Sequence, residues 1–177
     1  GLDNEFDKAK FQKDWPTDYL ISDESVHSQY FDVQFRPREK LYSTLGFRRD
    51  DHTTAGSYTT GRGTIAYKLD NLSKIRASYG TGIRYPTLYD YFYGTVVKNK
   101  EDLDPEKSKS FDIGYETNFE KINTNFNISA FKITYDNPLE SWESNADNGN
   151  TYVQKNSKGK IKSRGIELST LWKPKNN

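Results

Sequence analysis

Few residues in this chain have the types and spacing that chemistry needs. The two histidines, His27 and His52, lie far apart, and neither has a Cys or a second His at metal-ligand spacing. His27 falls at a strand edge and His52 in a loop. Asp102, Asp104 and Glu106 form a carboxylate cluster, but their spacing departs from the twelve-residue calcium loop, so a solvated loop is the simpler reading. Asp50-Asp51 is read the same way. Gly61-Arg62-Gly63 lacks the strand–turn–helix context of a phosphate loop and reads as a flexible strand entry. Asn71-Leu72-Ser73 and Asn127-Ile128-Ser129 match glycosylation sequons but sit in a tight turn and a strand, and are taken as chance. No Gly-x-Ser-x-Gly or Cys/His pairing is present. The chain is not expected to be an enzyme, and no metal or cofactor is expected. Tyrosines interleave with lysines, as in single-strand nucleic-acid binders. A net charge of +1 gives no general pull on a polyanion, so no nucleic-acid partner is expected.

One stretch organises the rest. Ser78–Glu116 begins as an alternating strand and breaks at Gly80, Gly82 and Pro86. It runs through the aromatic cluster Tyr85, Tyr89, Tyr91, Phe92 and Tyr93, and re-enters a strand after Asp104-Pro105-Glu106. A loop of roughly twenty-five residues far exceeds the usual connection of about 4–6, and such loops are functional or disordered. Its aromatic content argues for order.

Composition narrows the fold that must hold this loop. Mean hydropathy is −0.98 and hydrophobic content 33%, low for a self-contained core, yet aromatics reach 15%. Strands with one apolar and one wet face suit such a mixture. Cysteine is absent, so neither disulfides nor thiolate chemistry are available. Methionine is absent even at position 1, and the first residues lack the basic and apolar regions of a signal peptide. The chain is therefore expected to be a mature form or a piece of a longer one. No apolar run approaches a membrane-spanning helix; spanning strands carry a much weaker signal and stay open.

About nine strands are expected. Gly1–Lys8 is weak, and Ala9–Ser25 reads as a long polar loop. His27–Arg36, Leu41–Arg49, Thr59–Leu69, Leu72–Thr81, Lys107–Phe119, Asn123–Tyr135, Tyr152–Asn156 and Lys160–Trp172 follow. Most are roughly 9–13 residues, where spanning strands need about 9–11 and globular strands average about 5–6. Connections alternate. Long ones lie near 9–25, 50–58, 82–106 and 136–151, and short ones near 37–39, 70–71, 120–121 and 157–159. A meander built this way puts all short turns at one end, as outer-membrane barrels do. A soluble all-β module that binds carbohydrate or protein shares the period-2 alternation and is the competing reading.

A family resemblance then enters. The run from Tyr79 to Asp90, with Gly80, Gly82, Arg84 and Pro86, is followed by Leu103–Ser108 with Pro105 and Glu106, and by Asp112–Glu116. This order resembles the barrel of TonB-dependent outer-membrane receptors. Leu45–Asp50 with His52, Phe131–Asp136, and Arg164-Gly165-Ile166-Glu167 resemble flanking pieces of the same barrel. The resemblance covers residues 26–172, and the vitamin B12 receptor branch is the nearest one named. It implies an all-β, antiparallel, up-and-down transmembrane barrel. Residues 1–177 would supply a partial wall of about nine strands, without the family's plug domain and C-terminal strands. It implies a bacterial outer-membrane location and energy-coupled uptake of a scarce large nutrient, cobalamin or an iron–siderophore. The partners implied are outer-membrane lipid, the nutrient, and a TonB-type energy-coupling protein acting through a preceding region. A passive porin without a plug is the alternative within the membrane class.

The resemblance also assigns faces. Phe31, Val33, Phe35, Leu45, Phe47, Ile65, Tyr67, Leu69, Phe111, Ile113, Tyr115, Ile166, Leu168 and Trp172 would meet lipid. Asp32, Gln34, Arg48, Arg76, Asp112, Glu116, Arg164 and Glu167 would face a polar lumen. Tyr89, Tyr91, Phe92, Tyr93 and Trp142 are the candidate ligand contacts, because loop aromatics offer large rigid surfaces.

Overall fold

The structure, a computed structural model, describes residues 1–14, 18–87, 90, 103–145 and 151–174. Among the described residues ten strands form: β1 (Leu2–Asp14), β2 (Asp18–Arg38), β3 (Leu41–His52), β4 (Gly56–Lys68), β5 (Ser73–Arg84), β6 (Glu106–Phe119), β7 (Thr124–Asp136), β8 (Leu139–Asn145), β9 (Thr151–Asn156) and β10 (Lys160–Trp172). Eight make one antiparallel meander in the order β1-β2-β3-β4-β5-β6-β7-β10, and β8 pairs with β9 apart from it. The sheet is not closed; β1 and β10 are its edges.

Register explains why these sequences form a wall. Phe31 lies opposite Phe47, and Val33 opposite Leu45. The row Ile65–Ala77–Ile113–Ala130–Ile166 continues across five strands. A slip of one residue would send each apolar set to the other face. Strands β3 to β7 and β10 run 12 to 14 residues. At about 3.3 Å per residue and a tilt of about 45°, such a strand rises roughly 30 Å, the thickness of a hydrocarbon core.

Burial is inverted relative to a water-soluble sheet. Along β6 the polar side is sheltered and the apolar side open. Phe31 is 63% exposed and Phe47 56%, while Ser28, Asp50 and Ser129 are buried. Among the described residues the buried hydrophobics are Leu103 and Leu139, both outside the wall.

Several expectations change. Residues 9–14 and 18–25, read as loop, continue β1 and β2, with one register shift between Gln12 and Asp14. A polar strand carries no apolar alternation, so its pairing is invisible to pattern. The expected long loop at 50–58 shrinks to residues 53–55, because β3 and β4 extend to His52 and from Gly56. His52 thus closes a strand. The loop expected at 136–151 contains β8, and Tyr152–Asn156 is no spanning strand but lies in β9, paired with β8. The chain leaves β7 at Asp136, makes this hairpin, and re-enters at Lys160 directly opposite Asp136. The turn at 157–159 therefore lies at the loop end, and β10 runs opposite to the direction expected for it. The short connections at 39–40, 69–72 and 120–123 share the other end, as expected.

Candidate functional site

The sheltered face of the wall carries an ordered set of ion pairs. Asp32 on β2 accepts from Arg62 on β4, at 2.6 Å from Nη2 and 3.2 Å from Nε. The pair passes over Gly46 of β3, where a Cβ would stand 2.7 Å from the Asp32 carboxylate. A side chain there would force the Asp32 carboxylate and the Arg62 side chain to shift. Arg76 donates to Asp112 at 3.1 Å, and Ser78 also donates to that carboxylate. Lys74 lies 3.0 Å from Glu116. Arg48 donates to Asp50 at 2.7 Å and to Ser28 at 2.8 Å. Only Lys74 and Glu116 are directly opposed on neighbouring strands; Arg76–Asp112 is a diagonal pair, Asp32–Arg62 spans β3, and Arg48–Asp50 lies within β3.

Near the loop end this face becomes aromatic. The Tyr85 ring stacks on His52 with centroids 4.5 Å apart and meets Tyr58 edge-on at 5.9 Å. His52 Nδ1 accepts the amides of Thr54 and Ala55, both at 3.1 Å, which places the neutral ring's proton on Nε2 and closes the β3–β4 turn. The Tyr85 hydroxyl is buried without a hydrogen-bond partner among the described residues. Burial, and secondarily the Asp50 charge, raise its pKa to about 12. A recess of about 310 Å³ adjoins it, walled in part by Arg48, Asp50, Thr60 and Gly82.

The loop that organises the sequence is anchored at both roots. Pro86 is fully buried. Asp90 accepts from the Thr87 amide at 2.8 Å and its hydroxyl at 2.9 Å, while the Thr87 hydroxyl accepts the Asp90 amide at 3.3 Å, a reciprocal capping arrangement. Arg84 lies 3.6 Å from the same carboxylate. At the far root, Asn156 accepts the Asp104 amide at 2.7 Å and donates to the carbonyls of Asp104 (2.8 Å) and Asn137 (2.9 Å). Glu106 accepts the Leu139 amide at 3.3 Å. One root of the long loop is thereby tied to the β8–β9 hairpin.

The residues singled out from sequence divide accordingly. At Gly82 a Cβ would stand 2.7 Å from the Ser108 hydroxyl, which would have to rotate away; Gly80 has ordinary room. Gly165 lies under the Phe131 ring, 2.9 Å from a would-be Cβ. Arg84, Pro86, Pro105 and Glu106 gather at the loop roots, and Pro105 is buried. Glu167 shares a register row with Ser129, Gly114 and Arg76 on the sheltered face. Arg164 does not share that face. It alternates with Ile166 and Leu168 and lies opposite Lys132 on the apolar side. The reading that put both Arg164 and Glu167 in the lumen fails because residues three apart on a strand point to opposite faces. Tyr89, Tyr91, Phe92 and Tyr93 lie outside the described residues. Trp142 falls in β8, opposite Gln154. The Tyr85–His52–Tyr58 cluster was not foreseen, and nothing local signals it. The Thr87-x-x-Asp90 spacing could have been recognised as a capping box.

Among the described residues no group of His, Asp or Glu side chains could hold a metal ion. What this face offers is a polar, charge-paired surface on a wall that is apolar outside. An antiparallel meander with that inversion is the wall of a transmembrane β-barrel. The family described as "TonB dependent receptor-like, beta-barrel" matches residues 3–175, and the chain belongs to it. It is 28% identical over 103 residues to the vitamin B12 transporter BtuB of Vibrio vulnificus, covering 58% of this chain and 16% of that protein. The fold is similar to the siderophore receptor PirA of Acinetobacter baumannii, with a TM-score of 0.70 and 19% identity over 85% of this chain and 26% of that one. It is also similar to the ferric enterobactin receptor PfeA of Pseudomonas aeruginosa, with a TM-score of 0.70, 18% identity, and 84% and 24% coverage. The chain thus spans about a quarter or less of the length of these relatives.

Proposed function

We propose that this chain forms part of the wall and loop crown of an outer-membrane receptor for energy-coupled uptake of a large, scarce nutrient of the cobalamin or iron–siderophore class. The observation that carries this reading is the inversion of the two faces. Phe31, Phe47, Ile166 and Leu168 are more than half exposed, while Asp50 and Ser129 are buried. In water that arrangement is an aggregation liability, which counts against a soluble binding module. In a bilayer it is the favourable one.

Lipid offers no partners to the strand edges, so β1 and β10 would close against further strands of the same receptor. The paired charges Asp32–Arg62, Arg76–Asp112 and Lys74–Glu116 would line the lumen and meet a plug. Tyr89, Tyr91, Phe92, Tyr93 and Trp142 would contact the nutrient from the loops. An energy-coupling protein of the TonB type would act through a region preceding the barrel.

Uptake measurements test this. Cells producing the whole protein should accumulate cobalamin or a ferric siderophore only when the energy-coupling protein is present. Accumulation independent of that protein would favour a passive porin, and binding without membrane insertion would overturn the receptor reading. Tyr91→Ala with Trp142→Ala should weaken nutrient binding at unchanged surface abundance.

A further inference from the structure

One ladder of the wall stops early. β4 and β5 pair from Lys68–Lys74 to Arg62–Gly80 and no further, although β4 begins at Gly56 and β5 ends at Arg84. Every other ladder of the wall reaches the loop-end limit of at least one of its strands. Both strands stay extended beyond the split, β4 paired to β3 as far as Gly56 and β5 paired to β6 as far as Arg84. The rim is therefore divided into a β1–β4 sector and a sector running from β5 to β10. Across the split the contacts come from side chains. The Thr81 hydroxyl takes the place of the next ladder pair: it accepts the Gly61 amide at 2.9 Å and donates to the Gly61 carbonyl at 3.4 Å. Further out, the Lys107 ammonium stands 5.0 Å over the Tyr58 ring, and Tyr85 lies 5.9 Å from Tyr58 and 4.5 Å from His52.

The sequence around the last pair suits a hinge. Gly61 and Gly63 bracket Arg62, and Gly82 follows Gly80. A Cβ on Gly80 would meet its nearest neighbour at 3.6 Å, an ordinary contact, so close packing is not the reason for glycine there. Backbone freedom is what glycine adds, and hinges are built where a few residues absorb dihedral changes. Two recesses flank the split. One of about 310 Å³ reaches Arg48 and Asp50 on the sheltered face, one of about 240 Å³ reaches Lys107 and Lys109 on the outer face, and Thr60, Gly82 and Ile83 line both. Thr59, Thr81, Lys107 and Lys109 give the outer face polar groups at this height, above the apolar band, where water can satisfy parted strands. The closed seam also buries the Tyr85 hydroxyl without a hydrogen-bond partner among the described residues, a cost that opening relieves.

We propose that the β4–β5 seam is a hinged opening in the rim. The β1–β4 sector swings away from the β5–β10 sector about Arg62–Gly80, the Thr81 hydroxyl is the stitch that releases, and the mouth widens as a large nutrient enters. Side-chain contacts can part and re-form by rotamer changes, whereas a continuous ladder has to be unzipped. The role in entry rests on the receptor reading; the opening itself is a property of the wall, and the two are measured separately.

The whole protein is placed in lipid nanodiscs and distances are read between paired spin labels. Labels at Asp51→Cys and Lys109→Cys straddle the seam, and labels at Lys109→Cys and Lys162→Cys lie within one sector. The first pair should show a short and a long distance, the second a single one. Thr81→Val should raise the long population about fivefold, the worth of one lost hydrogen bond, and Thr81→Ser should leave it unchanged. A single distance across the seam, or an unchanged distribution in Thr81→Val, overturns the proposal and leaves the receptor reading standing. For entry, Thr59→Cys/Ile83→Cys is oxidised to lock the seam. Uptake of cyanocobalamin, or of ferric enterobactin where cyanocobalamin is not taken up, should fall at least about tenfold, since the competent state is removed, and should return on reduction. The lock Asp51→Cys/Ser57→Cys, on the continuous β3–β4 ladder, should leave uptake unchanged. Undiminished uptake through the locked seam overturns the role in entry. Uptake of neither probe by wild type overturns the receptor reading and that role with it.

Discussion

The two ends of this wall are built on different principles. At the turn end, each turn is closed by its own local contacts, and remote bonds such as Lys40 to the Leu69 carbonyl and Asn123 to the Lys173 carbonyl join neighbouring turns. Asp70 accepts the amides of Leu72 and Ser73, both at 2.7 Å. Arg36 donates to the Glu39 carbonyl, and Asn123 turns through a positive φ of 49° after the single 3₁₀ turn Glu120–Ile122. At the loop end, local caps at Thr87–Asp90 and His52–Thr54 are joined by remote contacts that tie the loops to one another and to distant strands. Asn156 meets Asp104 across 52 positions, Glu106 meets Leu139 across 33, and Thr54 meets Glu24 across 30. Tyr85 stacks on His52 from another strand. Local turns pay little loop-closure entropy, whereas remote ties need the wall already in place. The turn end should therefore form with the strands, and the loop end last.

Four experiments can break or sharpen that contrast. The largest effect belongs to the wall both ends share. Ile113→Arg, in the middle of the outer face, should destabilise the whole protein in lipid by about 2–4 kcal/mol. Denaturant unfolding in vesicles should show both ends lost together; one end surviving would mean that the wall is not one unit. Next, Asn156→Ala removes three hydrogen bonds and should cost about 1–2 kcal/mol, felt only at the loop end. Amide exchange should quicken at 103–106 and 137–139 and stay unchanged at 69–73. Spread to the turns would refute the independence of the two ends.

Tyr85→Phe should shift stability by less than about 1 kcal/mol, since it deletes a hydroxyl without a partner. The wild-type phenol, raised from an ordinary value of 10.0 to about 12, is held neutral by the fold. Its contribution is complete below pH 10 and is lost as pH climbs from about 10 to about 12, because the unfolded chain ionises first. Phenolate absorbance of the folded wild type should show one tyrosine that ionises only near pH 12, and the variant should lack it. The smallest effect is Asp70→Ala. The two amides lower the Asp70 pKa from 3.8, so its contribution is present above that value and fades as pH falls below it. The variant should lose that acid dependence, and exchange should quicken at Leu72 and Ser73 alone.

This contrast also marks what could be read from the chain. Alternation in Leu41–Arg49 or Lys107–Phe119 identifies the two faces, because a strand's period of two follows from backbone geometry. The turn at Asp70-Asn71 is legible for a similar reason: its hydrogen bonds lie within three residues. The polar segments 9–14 and 18–25 are not legible as strands, since their pairing is a backbone property that no side-chain pattern records. β8 and β9 were hidden likewise, and misplacing Tyr152–Asn156 among the spanning strands reversed the direction of β10. Of the site, the motif glycines and prolines were visible, but the Tyr85–His52–Tyr58 stack was not.

By itself, then, the sequence determined the class of the protein, most of the spanning strands and, apart from Arg164, which residues share a face, all consequences of short-range periodicity and turn chemistry. The tertiary structure alone decided which strand is β10's neighbour, that Asn156 ties two loops together, and that β4 and β5 part beyond Arg62–Gly80. Those facts depend on register between segments far apart in the chain, and register is set only when the strands pair.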